Sequence, residues 1–82
     1  MVFKEIEVTK AGGMDSKSCA LLVQHAMRYQ SEVLLECMAK KVNCKSVMGV
    51  ISLGLKCGDR IILITKGEDE EAAASDVAEV FR

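Results

Sequence analysis

Long apolar runs and an excess of one charge are both missing from this sequence. The longest apolar runs, CALLV and IILI, are far shorter than the about 20 residues that a membrane span needs. The opening MVFKEIE has no basic region followed by an apolar signal core. Eleven basic and twelve acidic residues nearly cancel, so no tail for nucleic acid or another polyanion is predicted. The composition therefore indicates a soluble, cytoplasmic protein that binds neither membranes nor nucleic acid directly.

Metal-binding and disulfide-forming residues are also scarce. The four cysteines, at positions 19, 37, 44 and 57, include no CxxC pair, and His25 is the single histidine. Without a secretory signal, the cysteines are predicted to be reduced and mostly to act as small buried side chains. Neither a metal site nor a cofactor site is predicted from so few ligands. With 82 residues, half of them apolar, the chain is expected to form one domain over residues 1–82.

Apolar periodicity predicts seven secondary-structure elements. VFKEIEV alternates as a strand from Val2 to Val8, SEVLLEC and KKVN form a hairpin, and RIILIT, apolar on both faces, is a central strand. Helical spacing predicts a helix from Asp15 or Ser16 to about Tyr29 and a short helix after Ser46. A last helix in GEDEEAAASDVAEVFR is expected to hold four acids in its first turn. The order β-α-β-β-α-β-α predicts an α+β domain with helices on one face of a mainly antiparallel sheet.

The entrance to the first helix, GGMDSKSC, is the first candidate site. Free backbone N–H groups at a helix start attract anions, and Lys17 and Ser18 add donors, although an ordinary capped helix start explains the same residues. Asp15 could act as a phosphoryl acceptor and form an acyl phosphate, but the segment has no second acid to hold Mg²⁺. A helix cap is the favoured role of Asp15. His25 is interpreted as a solvated surface residue with no partner nearby in sequence.

The second candidate site is NCKSVMGVISLG. Ser46 stands as an N-cap before a short and unusually apolar helix. Val47, Met48 and Ile51 either fill the core or form an exposed patch of the kind that binds a partner. A phosphate on Ser46 would lie at the positive end of the helix, so a switch there would act through surface charge rather than refolding.

Three segments of the chain read LLVQHAMRYQSEVLLE, KKVNCKSVMGVISLG and GDRIILITKGEDEEAA, and VNCKSVMGVISLG is the most specific of their motifs. In order and spacing they resemble the HPr family of small phosphocarrier proteins of the bacterial phosphotransferase system. The resemblance implies an open-faced β-sandwich, with a four-stranded antiparallel sheet and three helices on one face. It also implies that Ser46 is the serine modified by HPr kinase/phosphorylase. The modified form would be a corepressor of catabolite control protein A, docking through Val47, Met48 and Ile51.

The active-site motif of the family is not kept. Asp15 stands where carrier members have the phosphorylated histidine, Lys17 replaces an arginine and Ser18 replaces a proline. An ammonium cannot provide the planar, bidentate clamp on phosphate that a guanidinium provides. The resemblance therefore favours a regulatory protein, not an enzyme, phosphorylated on Ser46 and contacting partners through the patch and Lys17, without histidine phosphotransfer. Two alternatives stay open: a carrier that uses Asp15 and contacts phosphotransferase-system enzymes, and an interaction module that is not phosphorylated.

Overall fold

The computed structural model describes residues 1–82 and contains seven secondary-structure elements. Their order is β1 (Val2–Glu7), α1 (Ser16–Ala26), β2 (Glu32–Cys37), β3 (Lys40–Asn43), α2 (Val47–Ile51), β4 (Arg60–Lys66) and α3 (Glu70–Glu79). This is the predicted β-α-β-β-α-β-α order. None of the three helices is both long and apolar enough to cross a membrane.

The four strands form one antiparallel sheet in the order β1-β4-β2-β3. β4 is therefore central, as its apolar composition predicts, and it pairs with β1 and β2 at once. Ile61 and Leu63 belong to the main core. Ile62 and Ile64 alternate with them and face the uncovered side of the sheet. The strand with apolar residues on both faces therefore lies in the middle of the sheet, with β1 along one edge and β2 along the other.

The helices cover one face of the sheet and enclose a single core. α3 packs on β4 and β1, α2 packs on β3, and α1 packs on both α2 and α3. Phe81, Leu22 and Leu35 are among the largest fully buried side chains of this core. The predicted open-faced sandwich with three helices on one face is confirmed.

Helix α1 is shorter than predicted. The helix ends at Ala26 and not near Tyr29, because Arg28 and Tyr29 donate to carbonyls three residues back instead of four. The Lys45 Nζ then donates to the Tyr29 carbonyl at 2.8 Å. A side chain from the loop before α2 thus satisfies a carbonyl in the segment that follows α1, which no local pattern in the sequence reveals.

The start of α3 also differs from the prediction. The helix begins at Glu70, so the four acids do not all lie in its first turn, and Asp69 makes no cap bond. The Asp69 carboxylate instead accepts hydrogen bonds from the Ser31 hydroxyl and from the backbone N–H groups of Gln30 and Ser31. These bonds hold the pKa of Asp69 below its usual range. Asp69 therefore ties the start of β2 to the start of α3.

Burial of the cysteines follows the prediction for most of them. Cys19, Cys37 and Cys44 are buried, whereas Cys57 is exposed in the turn before β4. Burial raises the pKa of the Cys44 thiol to about 12, which leaves it un-ionised at neutral pH. These three cysteines serve as small apolar side chains of the core.

Candidate functional site

The loop before α1 is held tightly against the turn before β4. Gly12 and Gly13 both adopt positive φ angles, of 80° and 75°. A Cβ atom on Gly13 would lie 2.7 Å from the Leu55 carbonyl oxygen, whereas one on Gly12 would meet nothing within 4 Å. The Met14 N–H donates to the same Leu55 carbonyl at 3.1 Å. Gly13 therefore allows the close backbone approach that sets the position of the helix entrance.

Asp15 is the N-cap of α1, as the sequence predicts. Its Oδ1 accepts from the Ser18 backbone N–H at 2.8 Å, and the Asp15 backbone is extended. The hydrogen bonds from Ser18, together with the positive charges of Lys10 and Lys17, hold the pKa of the Asp15 carboxyl below its usual range. Asp15 is thus ionised at neutral pH, and one of its oxygens is already engaged in the helix start.

A surface groove adjoins this entrance along α1. It has a volume of about 420 Å³, and its walls consist of Lys10, Lys17, Ser18, Ala20, Leu21 and Gln24. Lys17 is exposed, and Leu21 is an exposed large apolar residue. The groove is therefore lined by two cationic residues, Lys10 and Lys17, together with the apolar residues Ala20 and Leu21. Lys10 was not predicted from the sequence, since it lies in the loop before the glycine pair and gives no periodic signal.

Ser46 is the N-cap of α2, also as predicted. Its Oγ accepts from the Gly49 N–H at 3.2 Å, and the residue is exposed. At the other end of the same helix, the Ser52 hydroxyl donates to the Gly49 carbonyl at 2.6 Å. Ser46 therefore presents its hydroxyl at the surface, in a position where added negative charge faces free N–H groups.

Three apolar residues beside Ser46 form an exposed patch, called here the α2 patch and defined as Val47, Met48 and Ile51. Their exposed fractions are 38%, 75% and 40%, whereas Val50 on the same helix is 1% exposed. Of the two alternatives that the sequence left open, the structure favours a surface patch over a core position. Since α1 and α2 pack against each other, the α2 patch and the groove of α1 lie on neighbouring helices.

His25 is not the solvated residue that its sequence neighbourhood suggests. Its Nδ1 lies 3.1 Å from both carboxylate oxygens of Asp76, and its side chain is 20% exposed. Asp76 is 51 positions away in sequence and comes close because α3 packs along α1. The interpretation of His25 as a solvated surface residue is therefore wrong, although its partner is indeed not nearby in sequence. The only sequence signal for this cluster is that His25 and Tyr29 are four residues apart, a spacing that would place them on one face of the longer helix that the sequence predicts.

Comparison with known proteins agrees with this fold. A family model described as "PTS HPr component phosphorylation site" matches residues 2–82. The chain therefore belongs to the HPr family, whose members are small proteins of the phosphotransferase system.

Within the family, the chain is similar to HPr-like proteins called Crh. It is 47% identical over 73 residues to Crh of Halalkalibacterium halodurans, which covers 89% of this chain and 87% of that protein. It is 44% identical over 78 residues to Crh of Bacillus subtilis, with 95% and 92% covered. A crystal structure of HPr from Bacillus anthracis matches with a TM-score of 0.94 at 34% identity, over 99% of this chain and 96% of that one.

Proposed function

We propose that this chain is a regulatory member of the HPr family, phosphorylated on Ser46 and acting through protein contacts in carbon catabolite control. It acts in the cytoplasm, is not an enzyme, and does not carry phosphate through position 15. The observation that carries the proposal is the pairing of an exposed Ser46 N-cap with the exposed α2 patch, while Asp15 replaces the carrier histidine.

The geometry of Ser46 suits a kinase substrate whose modification is read at the surface. The hydroxyl is exposed, and its single hydrogen bond, at 3.2 Å to the Gly49 N–H, is long. A phosphate there would keep an oxygen near that N–H and add charge next to the exposed Met48. HPr kinase/phosphorylase is the proposed modifying enzyme. A transcription factor of the catabolite control protein A type is the proposed reader.

Similarity to Crh proteins supports the same assignment. Sequence identity of 44–47% over most of the chain is higher to them than the 37% to the phosphocarrier HPr of Treponema pallidum. Asp15 adds support, because its Oδ1 already accepts a hydrogen bond from the Ser18 N–H as the N-cap of α1. These features favour a cap over an acyl-phosphate carrier.

Incubation with HPr kinase/phosphorylase and ATP tests the modification. The protein should gain one phosphate, and Ser46→Ala should gain none. Ser52→Ala is the matched control. Ser52 is also exposed and lies at the other end of α2, so this variant should still gain one phosphate. A label retained in Ser46→Ala, or lost in Ser52→Ala, would contradict the assignment.

Binding to a transcription factor of the catabolite control protein A type tests the docking surface. Met48→Ala should weaken binding of the phosphorylated chain by about tenfold, or about 1.4 kcal/mol, because Met48 is the most exposed residue of the α2 patch and side chains that cost more than about 1 kcal/mol on truncation cluster at the centre of an interface. Lys17→Ala should weaken it too. Phe3→Ala, which removes an exposed apolar side chain from β1, is the control and should have no effect. Equal losses in Met48→Ala and Phe3→Ala would contradict the proposed surface.

Two alternative functions, a carrier through Asp15 and an unphosphorylated interaction module, can be distinguished from the proposed function by phosphorylation and binding experiments. A carrier through Asp15 would take phosphate from phosphoenolpyruvate and the general donor enzyme, giving an acyl phosphate that hydroxylamine cleaves. An unphosphorylated interaction module would bind its partner with Asp15 as a fixed charge, so Asp15→Ala would weaken binding and kinase treatment would not change it. We expect neither result.

A further inference from the structure

The side of the sheet that no helix covers, called here the outer face, carries apolar residues at its centre. Phe3, Ile64 and Leu34 lie side by side on β1, β4 and β2, and Ile62 points the same way two residues before Ile64. Phe3 is 64% exposed, Ile62 and Leu34 are half-buried, and Ile64 is buried without belonging to the main core. The outer face therefore has an apolar centre that the helices leave open.

Charged residues border this apolar centre in a regular arrangement. Glu5 on β1 and Lys41 on β3 point outward from the same cross-strand row, at opposite edges of the sheet. At one end of the face, Lys66 on β4 pairs with Glu32 on β2. All four side chains are exposed. Each acid thus has a base at the mirrored position across the line that runs between β4 and β2.

This arrangement makes the outer face complementary to a second copy of itself. A two-fold axis above the face, parallel to the strands and over the line between β4 and β2, places β1 over the partner's β3 and β4 over the partner's β2. Glu5 then faces Lys41 of the partner subunit, and Lys66 faces Glu32 of the partner subunit. Ile64 faces Leu34 of the partner subunit. Each contact occurs twice, so four ion pairs would surround an apolar centre.

A two-fold axis perpendicular to the strands does not produce this match. Such an axis lays each strand over its own copy in the reverse direction. Depending on the row that it crosses, it sets Arg60 against Lys66 of the partner subunit, or Glu32 against Glu36 of the partner subunit. Like charges placed opposite each other disfavour association. The charge pattern of the outer face therefore favours the parallel axis.

We propose that the outer face is a docking site for a second copy of this chain, in a two-fold symmetric dimer whose sheets pack face to face. Four strands about 4.8 Å apart and about six residues long give a face of about 400 Å². The two copies together would bury about 800 Å², which is the size of a weak, reversible interface. The helices lie on the opposite side, so Ser46 and the α2 patch stay accessible and the inference does not depend on them.

Sedimentation equilibrium of the full chain tests the association. The chain should be monomeric at about 10 μM and largely dimeric at about 1 mM, with full reversal on dilution, as a small interface requires. Over the same dilution, amide NMR shifts should change in β2 and β4 and stay constant in α1 and α2. A monomer at about 1 mM, or shifts confined to the helices, would overturn the proposal. So would a dimer that persists on dilution, which would indicate exchange of a strand between copies.

Charge reversal tests the arrangement of the two copies. Glu5→Lys alone and Lys41→Glu alone should each lower the association constant at least about tenfold, because each sets like charges against each other twice. An equimolar mixture of the two variants should dimerise again, since both ion pairs return in the heterodimer.

Matched controls reverse a charge away from the outer face. Glu71→Lys on α3 and Lys56→Glu in the turn before β4 are exposed positions with the same changes in charge, and both should dimerise as the unmodified chain does. Circular dichroism checks that each variant is folded, and Lys66→Glu with Glu32→Lys provides a second pair for the mixing experiment. Single variants that dimerise normally, controls that lose as much, or mixtures that stay monomeric would overturn the proposed dimer.

Discussion

Phosphorylation of Ser46 is expected to leave the fold intact and to raise its stability slightly, and Ser46→Ala is expected to lower it. The alanine variant loses the Gly49 N–H to Ser46 Oγ bond. Because this bond is 3.2 Å long and exposed, the loss should lie at the low end for an N-cap, about 0.5 kcal/mol. For a domain of this size, that corresponds to a fall in Tm of about 2–4 °C.

The phosphate should act in the opposite direction. Its oxygens can still accept from the Gly49 N–H, and its charge lies at the positive end of α2, which stabilises by about 0.5 kcal/mol at low salt. The phosphorylated chain should therefore melt at or above the unmodified chain. Ser46→Asp, which keeps a capping oxygen and adds charge, should melt near the unmodified chain.

Thermal melting followed by circular dichroism at low and high salt provides the measurement. The gain from the phosphate should shrink with salt, whereas the loss in Ser46→Ala should not, because only the former is a long-range charge effect. Amide NMR shifts should change around α2 and not in β4. A clear drop in Tm on phosphorylation, or shifts that spread through the sheet, would refute a switch that works by surface charge.

Three further predictions concern the loop, the cysteines and pH. Gly12→Ala should lower the free energy of unfolding by about 1 kcal/mol, because an alanine at its positive φ is strained. Gly13→Ala should lower it by at least about 1 kcal/mol more, because the new Cβ would also contact the Leu55 carbonyl oxygen. Equal Tm values for the two variants would contradict this prediction. At neutral pH, iodoacetamide should modify Cys57 in the folded chain and spare Cys44, whose pKa is about 12, and urea should remove the difference. The folded protein lowers the pKa values of four carboxyls, those of Asp15, Asp69, Glu70 and Asp76. The stability they contribute is present above their unfolded pKa values and is lost as pH falls through the lower folded values, so Tm should be constant near neutral pH and fall below about pH 4. A fall in Tm that begins near about pH 6 would contradict this assignment.

Helix caps could be predicted because they are local. Asp15 and Ser46 each bond to an N–H three residues ahead, so their role depends only on a short polar residue before an apolar stripe. The strands could also be predicted from the sequence. β4 carries apolar residues on both faces, and this pattern favours the central position that the strand takes in the sheet. By contrast, the end of α1 at Ala26 was not predicted, because it follows from the three-residue hydrogen bonds of Arg28 and Tyr29 and not from any break in the apolar pattern.

Sequence by itself thus determined the order of elements, the two capped helix entrances and the absence of a histidine at position 15. Only the tertiary structure decided which apolar residues of α2 remain exposed. Val50 and Met48 are both apolar residues of this short helix, but Val50 faces the core and Met48 faces the solvent. It also decided that His25 meets Asp76 and that Asp69 binds Ser31, across 51 and 38 residues. The reason is physical: caps form within one turn of chain, whereas these pairs exist only after α3 has packed against α1 and the sheet.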